Sequence, residues 1–77
     1  MTRLPPLKIQ QVLSILKDAG YEFDRSKGSH QIFIHPDSGR RVVVPVHPGK
    51  EIPSGTLHEI LRQAGITRDD VAKFLSS

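Results

Sequence analysis

The middle of this chain holds three short extended segments joined by turns too brief for the chain to cross a sheet. Tyr21-Glu22-Phe23-Asp24-Arg25 alternates apolar with polar residues, the pattern of a half-buried strand. His30 to His35 reads as a second strand, and Arg41 to Val46 as a third with Val42, Val44 and Val46 on one face. Ser26-Lys27-Gly28-Ser29 and Pro36-Asp37-Ser38-Gly39 are the turns between them, with Gly28 available for a positive φ. Parallel strands need a crossover of roughly a dozen residues or more, so these segments can pair only as an antiparallel meander. Pro45 has no N–H to give a ladder and marks either an edge or the end of the third strand.

Helical patterns flank the meander. Ile9, Val12, Leu13 and Leu16 follow the spacing of one buried helical face, and Pro5 and Pro6 suit a first turn. The spacing predicts a helix from about Leu7 to Ala19, with Gly20 as its left-handed cap. His47 to Pro53 is a loop, after which Ser54 or Thr56 can cap a helix whose stripe is Leu57, Ile60, Leu61 and Ala64, ending at Gly65. Thr67 and Asp70 fit a capping box for a last short helix carrying Val71, Phe74 and Leu75. The expectation is an α+β fold, helix–three-stranded antiparallel sheet–helix plus a short C-terminal helix, in a single domain over residues 1–77.

One strand departs from a clean one-sided pattern. Ile32 and Ile34 point one way and Phe33 the other, although a sheet with helices on one face should alternate apolar with polar. Either neighbouring side chains cover Phe33, or part of the outer face is covered by another chain.

A domain of this size buries only roughly 60–65% of the surface its unfolded chain exposes. A shallow surface site under a large substrate is therefore easier to build than an enclosed cavity. With no cysteine, disulfides, thiolate zinc sites and cysteine nucleophiles are excluded, and a reducing cytoplasm is compatible. No apolar run approaches the ~20 residues of a membrane span, and the N-terminus lacks a secretory apolar stretch, so a cytoplasmic protein is expected. Within the net charge of +3, the stretch from Arg25 to Lys50 holds five basic residues (Arg25, Lys27, Arg40, Arg41, Lys50) against Asp37 alone. Such a basic surface suits RNA or DNA, though it equally suits mere solubility.

Gly28-Ser29-His30 places an imidazole where a turn meets the start of a strand. Histidine titrates near neutral pH and can take the proton of an RNA 2′-hydroxyl, while nearby cations stabilise the phosphate. The same tripeptide is also what a polar residue opening a strand looks like. Ser29 either positions a phosphate or serves the turn. His47 would approach His30 if the third strand ends beside the start of the second; otherwise it is a loop histidine. His35 is an odd number of residues from His30 and faces the other way, and His58 lies off the apolar stripe. His30, His35 and His47 lack a recognised ligand spacing, so neither a metal nor another cofactor is expected.

Taken together, several features in fixed order carry a family resemblance. They are Ala19-Gly20-Tyr21, Arg25-Ser26-Lys27-Gly28-Ser29-His30, Phe33 with His35-Pro36, Val44-Pro45-Val46-His47-Pro48-Gly49-Lys50, Gly55-Thr56-Leu57 and Ile60-Leu61-Arg62-Gln63-Ala64-Gly65-Ile66. In these the chain resembles the HicA, or YcfA-like, family of toxins over about Pro6 to Ile66. The resemblance implies a fold like that of double-stranded-RNA-binding domains and metal-independent cleavage of messenger RNA. It puts the catalytic role on His30 and implies a HicB-type antitoxin as partner. Ser29 and His47 are then possible supporting groups, and Lys27, Gly28, Arg40, Arg41 and Lys50 are expected to meet the RNA backbone. A non-catalytic RNA-binding module is the alternative. A DNA-binding helix–turn–helix around Gly65 is disfavoured, because its second helix would present Asp69 and Asp70 to phosphates.

Overall fold

The computed structural model describes residues 6–46 and 51–76. Its elements are α1 (Ile9–Asp18), β1 (Glu22–Lys27), β2 (His30–Ile34), β3 (Arg41–Pro45), α2 (Ser54–Ala64) and α3 (Arg68–Ser76). The strands form one antiparallel sheet in the order β1-β2-β3, the expected meander and α+β class. Among the described residues no helix is long and apolar enough to cross a membrane.

Among the described residues, helices cover only one face of the sheet. Phe33, Val42 and Val44 point inward and pack in one buried cluster with Val12, Ile15 and Leu16 of α1 and Leu57, Ile60, Leu61 and Ala64 of α2. The α2 stripe is the one its spacing predicts. The α1 stripe is wider than Ile9, Val12, Leu13 and Leu16: Ile15 is buried and Leu13 sits at its margin. On α3 only Val71 is buried; Phe74 packs partly, and Leu75 is exposed.

Helix ends depart from expectation where backbone groups find other partners. Leu7 is not helical, because its carbonyl accepts the N–H of Ile52 at 2.9 Å beside an antiparallel bridge between Lys8 and Glu51. Helix α1 starts two residues later, with Gln11 Oε1 accepting the Lys8 N–H. Neither Ser54 nor Thr56 caps α2; Pro53 holds the N-cap position without a side-chain bond. Thr67 and Asp70 do form the reciprocal box, each backbone N–H donating to the other's side chain. At Gly20, φ +96°, the N–H groups of Gly20 and Tyr21 close onto the carbonyls of Lys17 and Leu16 in a Schellman arrangement.

The largest correction concerns β1. Tyr21 precedes the strand, and Phe23, 56% exposed, only reaches the rim of the core in an edge-to-face contact with Phe33. The register runs Phe23↔Phe33 but Arg25↔Ile32, so Asp24 is an extra residue, a β-bulge. Without it Phe23 and Lys27, four residues apart, would share a face. With it, Phe23 stays beside Phe33 while Lys27 turns outward beside His30.

Tyr21 instead ties the layers together. Its hydroxyl donates to the Ala64 carbonyl at 2.8 Å inside the core, and burial pushes its pKa up while the nearby Arg40 charge pulls it back a little. Tyr21→Phe should cost about 1 kcal/mol in urea denaturation, the typical net value of one such bond. Because the folded-state pKa is raised, this contribution is complete below the unfolded tyrosine value of ~10 and is lost as pH climbs through the folded one. A Tyr21→Phe variant should lack that part of the alkaline decline.

Candidate functional site

The β1–β2 connection is a two-residue hairpin. Lys27 pairs with His30, leaving Gly28 and Ser29 as the loop, so the turn is shorter than the four residues its composition suggests. Gly28 has φ +60° and, among the described residues, no non-glycine residue has positive φ, which is the signature of a type II′ turn. This turn suits the twist of paired strands, and it holds the first residue of β2 in a defined place.

That first residue is His30, exposed and paired on both sides, with Lys27 in β1 and Pro45 in β3. Phe33 is an odd number of residues away and is anchored inward, so His30 points to the bare outer face. Ile32, Ile34 and Val43 share this face; here the isoleucines, rather than Phe33, are the outward apolar groups. Among the described residues the imidazole of His30 and the hydroxyl of Ser29 have no hydrogen-bond partner. The Ser29 carbonyl accepts the Val46 N–H at 2.7 Å, so the end of β3 lies beside the start of β2. His47 and Lys50 lie outside the described residues.

The basic residues do not gather into one cluster. Lys27 is the direct cross-strand neighbour of His30. Arg41 is on the same outer face but pairs with Ile34, about 13 Å along the strand from His30 at ~3.3 Å per residue. Its guanidinium donates to Asp24 Oδ2 at 3.3 Å, an oxygen that Arg25 Nε also reaches at 3.1 Å. The bulge thus holds two arginines on one carboxylate. Arg40 turns to the helical side, where its guanidinium lies against Gly65 at the end of α2. Arg40, expected with Lys27 and Arg41 to meet the RNA backbone, thus stands on the opposite side of the sheet from them.

His35 is away from this site. It stacks edge-on with Tyr21 at 5.2 Å between ring centroids, and its Nδ1 accepts the Ser38 N–H. His58 is exposed on α2. Among the described residues no three His, Cys, Asp or Glu side chains gather closely enough to hold a metal ion.

Sequence reading missed how the helices are aimed. Gly20 at the end of α1 meets His35, and Gly65 at the end of α2 meets Arg40, so both helices finish at the end of the sheet remote from His30. Neither helix has an acid in its first turn.

The result is a one-sided α+β layer that displays an exposed histidine at a tight hairpin, paired across the strands with a lysine. Residues 9–66 match the family described as the HicA toxin of bacterial toxin–antitoxin systems, and the chain belongs to that family. Comparison with curated protein sequences gives no match. Family membership makes this the toxin side of a toxin–antitoxin pair and implies an antitoxin partner.

The hairpin geometry carries its own test. Gly28→Ala should lower stability by about 1 kcal/mol, although nothing lies within 4 Å of the added Cβ, because left-handed backbone disfavours L-residues. His30→Ala, at an exposed position, should change it by no more than ~0.5 kcal/mol. Urea titrations of the two variants distinguish a conformational requirement from a chemical one.

Proposed function

We propose that this protein is a metal-independent endoribonuclease that cuts messenger RNA in the cytoplasm, with His30 as its acid–base group. The observation that carries the reading is an exposed imidazole, held by strand pairing on both sides, on a sheet face that no helix among the described residues covers. A long RNA can lie across such a face without entering a cavity.

The reaction follows from the residue type. Neutral His30 takes the proton of a 2′-hydroxyl, and the freed oxygen attacks the adjacent phosphorus. The bond from phosphorus to the 5′-oxygen breaks as that oxygen receives a proton from the imidazolium, directly or through water. The products are a 2′,3′-cyclic phosphate and a 5′-hydroxyl, and the histidine is returned to its starting state. Lys27, Gly28 and Arg41 meet the phosphate backbone, which places RNA without reading its bases. Arg40 is left out of this surface because its guanidinium lies at Gly65. Ser29 at the turn, together with His47 and Lys50, completes the proposed set of supporting groups. The regulator is a HicB-type antitoxin that covers the outer face, where Ile32, Ile34 and Val43 offer it an apolar centre.

A cleavage assay on a defined RNA tests this. The His30→Ala protein should fold and lose cleavage and growth inhibition, whereas the parent protein should cut equally well in EDTA. Full activity in a folded His30→Ala protein would remove the assignment, and loss in chelator reversed by magnesium would remove the mechanism. A parent protein that binds RNA without cutting it would favour a non-catalytic binding module. Replacing Arg41 with Gln should weaken binding to all RNA sequences alike and flatten its dependence on salt, since fewer counterions are released.

A further inference from the structure

The cations of the outer face fall into two kinds, and the bulge at Asp24 separates them. Arg25 and Arg41 both donate to Asp24 Oδ2, at 3.1 and 3.3 Å, so their charge is partly answered within the protein. Lys27 has no acidic partner among the described residues. It occupies the closing pair of the two-residue hairpin, directly across from His30. Directly paired residues hold their Cβ atoms about 4.5–5.5 Å apart on one face, so an imidazole and an ammonium there can reach the same phosphodiester group. The pairing exists because the extra residue at position 24 reverses the alternation of β1; an unbulged strand in the same register at Phe23 would aim Lys27 into the helical layer.

We infer that Lys27 is a second catalytic residue, whose ammonium donates hydrogen bonds to the non-bridging oxygens of the phosphodiester cleaved by His30. This rests on the reading of His30 as the cleaving group. As the 2′-oxygen adds to phosphorus, negative charge grows on those oxygens, and a fixed cation stabilises that state more than the bound substrate. Lys27 forms no covalent bond and keeps its proton throughout. Arg41, ~13 Å along the strand, helps hold RNA and has no part in the bond changes.

Steady-state cleavage of one defined RNA by the parent protein, H30A, K27M, K27R and R41M separates these roles, with circular dichroism confirming each fold. K27M should lose about 10²-fold in kcat with KM little changed, the scale of removing one transition-state donor. K27R should recover much of that loss, because a guanidinium also presents charge and N–H groups to phosphate. R41M should raise KM and leave kcat intact. If K27M does not fold, K27Q carries the same test. A K27M protein with undiminished kcat, or with only KM raised, overturns the assignment of Lys27. Absence of cleavage by the parent protein, or full cleavage by H30A, instead overturns the reading of the site itself.

Discussion

The structure depends on burying one face of a three-stranded sheet. A chain of this size has apolar side chains for one core and few beyond it. Phe33, Val42 and Val44 fill the inner face against α1 and α2, and every other placement follows from that contact. Anchoring Phe33 inward fixes the parity of β2. His30 must then stand outward, at the strand's first position, where the hairpin has just closed. The imidazole is presented by the same side-chain alternation that builds the core, so the site needs no loop of its own to display it.

Both sheet edges are managed by means that also bear on the site. Val46 turns its N–H toward the carbonyl of Ser29 in the β1–β2 turn, so the backbone nitrogens of Val43 and Pro45 face away from β2. Pro45 has no donor there, and Gln63 of α2 accepts the Val43 N–H at 3.1 Å. The β3 edge is thereby closed, and α2 is held alongside it. The β1 edge carries a bulge and alternating charges, features that discourage pairing with another strand. The sheet face, rather than an edge, is what the described residues leave uncovered.

Much of this was legible in the sequence. Turn residues and short connections specified the meander, and the periodic stripe of α2 specified its buried face residue by residue. The box of Thr67 and Asp70 was visible because its chemistry is local. His30 could be found because its residue type and its glycine turn sit side by side. Less visible was anything set by tertiary pairing. Leu7 looks helical until its carbonyl is claimed by Ile52. Tyr21, Phe23 and Arg25 read as a regular alternation because nothing in their spacing reveals that Asp24 is skipped. Lys27 therefore fell in the turn on paper, although it is paired with His30 in the fold. Arg40 and Arg41 are adjacent in sequence yet serve opposite faces, and only the register tells them apart.

The bulge gives β1 a dependence on residue number that differs from its dependence on residue identity. A substitution at Asp24 releases two arginines but leaves the count between Phe23 and His30 unchanged. Removing one residue there regularises the strand and exchanges its two sides, sending either Phe23 outward or Lys27 inward. Across diverged relatives of this chain, the interval should thus admit many different side chains while keeping a fixed length. Insertions and deletions should accumulate instead at connections such as residues 36–39, where no strand has to keep step with the histidine.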